Sequence, residues 1–106
     1  MTRAPDPVRI RAAVDAIEAE LRALGVWGGA KPGPEAFEDM GAFGSKTMSF
    51  TQWLEFVLVE GVRARLQDGG PWPSESSVGA YAARELDGWS EAAKLGRLLA
   101  EFDELF

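Results

Sequence analysis

Residues 49–70 have the sequence SFTQWLEFVLVEGVRARLQDGG, and the fold class depends on whether they form a strand or a helix. Residues 56–59 alone favour a strand, because phenylalanine and valine are common in strands. The flanks favour a helix, since Ser49 and Gln52 match a capping box and two glycines follow where the helix can end. The apolar spacing also suits a buried helix. We therefore predict a helix over residues 50–68.

Gly61 lies in the middle of the apolar face of this predicted helix. Glycine inside a helix costs about 1 kcal/mol relative to alanine. A close approach by another helix would offset that cost, so we expect one at Gly61.

A first helix is predicted upstream, where Asp6 can cap the free amides and Pro7 suits the first helical position. Gly25 is suited to end it, because glycine adopts a left-handed conformation at low cost. The apolar residues recur at steps of three and four, which predicts one buried stripe: Ile10, Val14, Ile17, Leu21 and Leu24.

Two further helices are predicted in the last third of the chain. The third runs from about Ser76 to Asp87, and Ser90 caps the fourth. Four amphipathic helices in a single domain of residues 1–106 predict an all-α fold, a compact four-helix antiparallel bundle.

The connection between helices one and two, residues 26–49, contains seven glycines or prolines. It also contains large apolar side chains, which a disordered linker rarely has. We therefore predict a long ordered connection that lies over the core, with one helical turn near residues 34–40. Its large apolar residues are Trp27, Phe37, Met40, Phe43 and Met48.

Composition excludes several kinds of chemistry. The 106 residues include no cysteine and no histidine, and 17 acidic against 11 basic residues give a net charge of −6. Thiolate and imidazole sites are therefore absent, and direct binding of nucleic acid is disfavoured. The N-terminus lacks the apolar run of a signal peptide, and no run approaches the roughly 18 residues of a membrane span. We expect a cytoplasmic protein.

Carboxylates form two clusters in the sequence, one at residues 35–39 and one at residues 101–104. No histidine can join them as a metal ligand, and we expect both clusters to be solvated faces. The sequence therefore predicts no cofactor, no metal and no enzymatic activity. The alternative is a carboxylate-based enzyme that uses Tyr81 or Lys46.

Aromatic residues remain as candidates for partner binding. Trp53 lies on the apolar face of its helix, which favours core packing. Trp72 stands between two prolines in a turn, where it either closes the end of the bundle or anchors a partner. Phe56 and Val59 lie on the more polar side of the second helix. Either the connection covers them, or they form a contact surface.

Residues 43–54, FGSKTMSFTQWL, resemble the YqcC-like family of small bacterial proteins of unknown function. The likeness lies in an aromatic residue, then Thr-Met, then a polar residue with Trp-Leu at the start of the long helix. This chain departs from the family at Ala42, Lys46, Glu60 and Gly61. The resemblance implies a helical bundle. Because some members lie beside a tRNA pseudouridine synthase gene, it also implies an accessory role in tRNA modification.

We therefore predict a monomeric, non-enzymatic protein that binds another protein. The alternative is an acidic inhibitor, or nucleic-acid mimic, that blocks the basic groove of a nucleic-acid-binding partner. The candidate partner-binding residues are Phe43, Thr47, Met48, Gln52, Phe56, Val59, Trp72 and Tyr81.

Overall fold

The computed structural model describes residues 5–38, 47–73 and 75–106. Those residues form four helices and no strand, so the predicted fold class is confirmed. Two short 3₁₀ turns accompany the helices, Pro34–Phe37 in the long connection and Ser90–Ala92 before the last helix. The helices are α1 (Pro7–Ala23), α2 (residues 50–68), α3 (Val78–Glu85) and α4 (Ala93–Asp103).

Helix α2 is one rod made of three segments, and it begins and ends as its sequence predicts. The Ser49 hydroxyl accepts a hydrogen bond from the backbone amide of Gln52 at 3.2 Å. In return, the side-chain oxygen of Gln52 accepts from the backbone amide of Ser49 at 2.8 Å. Gly69 ends the rod in the left-handed region, at φ +83°. The middle segment, Leu54–Val59, has π-helical geometry, which is wider than an α-helix and often occurs at functional sites.

Helix α1 also follows its sequence signals. The Asp6 carboxylate accepts from the Val8 amide at 3.0 Å, Pro7 occupies the first position, and Gly25 has φ +75°. The predicted stripe is fully buried in the core at Ile10, Val14, Ile17 and Leu21.

Neighbouring helices run antiparallel. Glu20 near the end of α1 lies 4.0 Å from Lys94 at the start of α4. Arg63 near the end of α2 bonds to Asp15 and Glu18 in the middle of α1. The smallest extent of the molecule is 21 Å, about two helix diameters, so the four helices form two layers.

The expected close approach at Gly61 is wrong. A Cβ atom built there would meet only the end of the Arg65 side chain, at 3.8 Å. The close approach occurs at Gly79 in α3 instead, where a Cβ would lie 2.7 Å from the Cα of Ala100. The absence of a side chain at Gly79 therefore allows the backbones of α3 and α4 to come together.

The predicted cap at Ser90 is also wrong. Helix α4 begins at Ala93, and Ser90 lies within the preceding 3₁₀ turn. Neither that turn nor the helix has a side-chain cap at its start. A serine caps a helix only from the residue just before it, which is Ala92 here, and Ser90 is two residues too early.

Residues 101–104 were expected to form a solvated acidic face, and this is wrong for Asp103, which is half-buried and hydrogen-bonded. Its carboxylate accepts from the Val78 amide at 3.0 Å, from the Gly79 amide at 2.6 Å and from the Ser76 hydroxyl. Ser77, the residue before α3, contributes no side-chain cap. A carboxylate from the end of α4 therefore caps the start of α3 and holds the two helices together.

An ionic cluster joins α1 to α2. Glu18 accepts from Arg22 at 2.8 Å and also from Arg63, and Arg63 bonds Asp15 at 3.1 Å. The hydrogen bond from Arg22, followed by the bond and charge of Arg63, lowers the pKa of Glu18 against the opposing effect of burial. Burial alone would lower the pKa of Arg63, but the bonds to Glu18 and Asp15 outweigh it and raise that pKa.

We expect Glu18→Gln to lower the free energy of unfolding by about 1 kcal/mol at neutral pH. Because the folded-state pKa lies below the ordinary value of 4.5, this stabilisation is present above pH 4.5 and is lost as the pH falls further. Urea unfolding at several pH values measures the difference between variant and wild type. That difference should shrink toward zero as the pH falls below 4.5 and through the lowered folded-state pKa of Glu18. A difference that stays constant with pH would contradict the assignment, and the exposed Glu91→Gln is the control.

Candidate functional site

The long connection is held on α2 by hydrogen bonds at two points. The Gly28 amide donates to both oxygens of the Glu55 carboxylate, at 3.1 and 3.2 Å. Lys31 bonds Glu60 one turn further along, at 3.0 Å. The described parts of the connection therefore lie against the bundle, as predicted, while residues 39–46 lie outside the described residues.

A groove of about 190 Å³ separates the connection from α2. Trp27 and the half-buried Phe56 line it, and the Arg63 side chain stands at its edge. Val59 also lines it but is only 1% exposed, so it belongs to the core. Of the pair that the sequence offered as a contact surface, Phe56 remains accessible and Val59 does not.

A second cavity, of about 200 Å³, opens where the Pro-rich turn meets the last helix. We call it the tryptophan pocket and define it by Trp53, Val62, Trp72, Phe102 and Phe106. Trp72 is half-buried against the core, with its ring 6.2 Å from that of Phe106. Phe102 and Phe106 meet edge to face at 5.1 Å. Trp72 therefore closes the end of the bundle and also forms one wall of an accessible aromatic cavity.

The charged groups near the tryptophan pocket lie at its rim. Arg65 and Glu75 both line the pocket and are both exposed. The volume is below the roughly 300–1,000 Å³ of most small-molecule and cofactor sites. It is better matched to one large apolar side chain, the kind of anchor that dominates protein interfaces.

The other predicted contact residues have local structural roles or lie outside the described residues. The Thr47 hydroxyl donates to the Ala36 carbonyl at 2.7 Å, which ties the 3₁₀ turn in the middle of the connection to the residues just before α2. Gln52 belongs to the capping box. Tyr81 is half-buried, 5.6 Å from the Phe50 ring, and Met48 is half-buried as well. Phe43 lies outside the described residues.

The position of Trp53 on an apolar helix face favoured core packing, and Phe106 was not among the candidate partner-binding residues. The structure places both beside Trp72. The turn after Gly69 and Gly70 could have indicated that Trp53 and Trp72 lie close together, because a tight turn brings the chain back toward the helix that precedes it.

Among the described residues, no group of three or more acidic, histidine or cysteine side chains could hold a metal ion. The half-buried carboxylates of Glu18, Glu55 and Asp103 have hydrogen-bonding partners with structural roles. Lys46, one of the two residues considered for a carboxylate-based enzyme, lies outside the described residues, and Tyr81 packs against Phe50.

Comparison with known proteins places this architecture in a family. Residues 9–105 match a family model described as DUF446, tRNA pseudouridine synthase C. The chain belongs to the DUF446 family. The family assignment agrees with the resemblance indicated by residues 43–54, because a relative of this DUF446 chain is YqcC itself.

Two relatives are similar over most of their length. The chain is 29% identical over 97 residues to the uncharacterized protein YqcC of Escherichia coli, covering 92% of this chain and 87% of the relative. It is 25% identical over 92 residues to an uncharacterized protein of Haemophilus influenzae, covering 87% of each. The solution NMR structure of E. coli YqcC has a TM-score of 0.83 at 27% identity, covering 96% of this chain and 88% of that one.

Two departures of this DUF446 chain from the family pattern are visible in the structure. Glu60 pairs with Lys31 of the connection, and Gly61 is half-buried, with only the end of the Arg65 side chain near the position of its missing Cβ. Ala42 and Lys46 lie outside the described residues. None of the helices in the described part of the chain has the length and apolar character needed to cross a bilayer.

Proposed function

We propose that this DUF446 chain is a non-enzymatic accessory protein that binds a tRNA pseudouridine synthase. The tryptophan pocket is the observation that carries the proposal. Two tryptophans from separate elements, Trp53 and Trp72, line a cavity sized for one apolar side chain, and charges stand only at its rim. A desolvated aromatic cavity with a polar rim has the organisation of a binding hot spot.

The identity of the partner is inferred from the family. The description tRNA pseudouridine synthase C, together with a net charge of −6, favours a partner that itself handles tRNA. A protein that binds tRNA needs a basic surface, and an acidic accessory protein is attracted to such a surface. The same charge disfavours direct contact between this chain and the tRNA phosphates.

The non-enzymatic role is supported by what the carboxylates already do. A general acid or base needs an ionisable group free to exchange a proton with substrate. The half-buried acids instead accept hydrogen bonds that hold the fold, as Asp103 does at α3 and Glu55 does at the connection.

The test is a calorimetric titration of the tRNA pseudouridine synthase from the same genome with this chain. We expect Trp72→Ala to weaken binding at least 30-fold, because hot-spot truncations typically cost 2 kcal/mol or more. Trp27→Ala is the matched control, since Trp27 is also half-buried against the core but lies outside the tryptophan pocket. Circular dichroism verifies that both variants are folded.

The remaining outcomes distinguish the alternatives. Binding through an apolar anchor should keep its affinity at high salt, because salt screens charge pairs but does not weaken the burial of apolar surface. Binding that collapses with salt and is competed by tRNA would replace the proposal with the acidic inhibitor. Pseudouridine formed in tRNA by this chain alone would make it an enzyme. Equal losses in both tryptophan variants would show that the tryptophan pocket is not the binding site.

A further inference from the structure

A groove of about 540 Å³ runs between α1 and α4, on a face that includes neither the tryptophan pocket nor the connection. Its apolar floor is made of small and aliphatic side chains, namely Ala12, Ala13, Ala16, Leu98 and Leu105. Val8 lies one turn before Ala12 on the same side of α1, and it is a large hydrophobic residue that is 75% exposed. Apolar surface of this kind is typical of an interaction site.

Opposite charges stand on the two rims of the groove. Arg9 lies on the α1 side, and Glu101 and Glu104 lie on the α4 side, all three exposed. No ion pair joins any of them to another residue in the described ranges. Because α1 and α4 are antiparallel, Arg9 and Glu104 lie at the same end of the groove, across from each other.

This arrangement is complementary to itself. A two-fold axis running along the groove exchanges its two rims, so that α1 of one copy lies over α4 of the other. Each Arg9 then faces Glu101 and Glu104 of the second copy, and the apolar floors meet between the two ionic edges. A symmetric dimer requires a patch that fits its own image, and unpaired charges of opposite sign on opposite rims meet that requirement.

We propose that the groove between α1 and α4 is the interface of a symmetric homodimer of this chain. The proposal departs from the monomer predicted from the sequence, and it does not depend on the partner bound at the tryptophan pocket. In such a dimer both tryptophan pockets stay open, because they lie outside the interface.

The size of the face sets the expected affinity. Helix α1 is about 25 Å long, at 1.5 Å per residue, and two packed helices are about 20 Å wide. The face is therefore roughly 500 Å² per copy, below the roughly 800 Å² per partner of a stable interface. We expect a weak, reversible dimer with a dissociation constant on the order of 10–100 μM.

Sedimentation equilibrium of the full chain, from about 5 μM to 1 mM at low salt, tests the proposal. Arg9→Glu should raise the dissociation constant at least 10-fold, because like charges then face each other. The double variant Glu101→Arg with Glu104→Arg should do the same. Mixing the two should restore association to within about threefold of wild type, since every pair in the mixed dimer is then opposite in sign.

Arg84→Glu is the control, because Arg84 is exposed on α3 and lies outside the groove. It should leave the wild-type dissociation constant unchanged. A wild-type chain that stays monomeric at 1 mM would overturn the proposal. So would a dimer that Arg9→Glu does not weaken, or variants that fail to associate when mixed.

Discussion

Replacing Gly79 by alanine should lower the free energy of unfolding by about 2 kcal/mol, although alanine normally stabilises a helix. The new Cβ would lie 2.7 Å from the Cα of Ala100 and 2.9 Å from a carboxylate oxygen of Asp103. Ala100 contributes backbone, which cannot rotate away as a flexible side chain would. Helices α3 and α4 must therefore separate, which costs roughly 3 kcal/mol. The higher helix propensity of alanine offsets about 1 kcal/mol of that cost.

Gly96→Ala is the matched control for this prediction. Gly96 is also a helical glycine, in α4, but no atom comes within 4 Å of a Cβ built there. We expect a gain of about 0.5–1 kcal/mol, because only the helix propensity changes. In thermal unfolding, the Tm of the Gly79 variant should lie about 10 °C below that of wild type, and the Tm of the Gly96 variant should lie above it. Equal gains in both variants would show that the helices do not approach at Gly79.

Asp103→Ala should destabilise the protein by about 2–3 kcal/mol. The substitution removes the acceptor for two backbone amides, those of Val78 and Gly79, and for the Ser76 hydroxyl. Hydrogen bonds to a charged acceptor contribute about 1.5–3 kcal/mol each, and water replaces part of that at a half-buried site. Asp103→Asn should cost less, about 1–2 kcal/mol, because one oxygen remains while the amide group faces hydrogen-bond donors.

The measurement for Asp103 combines chemical denaturation with amide exchange. The amides of Val78 and Gly79 should exchange faster in the variant, because they lose their acceptor while the rest of the bundle keeps its bonds. Asp87→Ala is the control, since Asp87 is exposed and its side chain bonds to no described residue. Unchanged exchange at Val78, with unchanged stability, would show that the carboxylate does not cap α3.

Asp103 also connects the fold to the candidate site. Phe102 and Phe106, which flank it in sequence, line the tryptophan pocket. By fixing the end of α4 against the start of α3, the carboxylate positions two of the aromatic walls. A variant at Asp103 should therefore weaken partner binding as well as stability.

Much of the fold could be predicted from the sequence because its signals are local. The caps at Asp6 and Ser49, the stop at Gly69 and the buried stripe of α1 each depend on residues within about four positions. The same is true of the 3₁₀ turn Pro34–Phe37, which begins at a proline. The π-helical segment Leu54–Val59 was not predicted, because its residues also fit an α-helical period.

The candidate site could be predicted only in part. Trp72 drew attention because two prolines flank it, and Phe56 because it lies among polar neighbours. Trp53 was assigned to the core on the correct ground that it lies on an apolar helix face. Trp53 also lines an accessible cavity, and this depends on the positions of Phe102 and Phe106, which the sequence around Trp53 does not encode.

The four helices, most of their ends, the acidic charge and the absence of thiol and imidazole groups can all be read from the amino-acid sequence. Three features follow from packing alone: Asp103 caps α3, the close approach of helices is at Gly79 and not at Gly61, and Arg63 joins Glu18 across two helices. These contacts span 21 to 45 residues of chain. The physical reason is that helix formation is specified by interactions within a turn, whereas a contact between helices depends on how whole faces pack, and no local pattern records the partner.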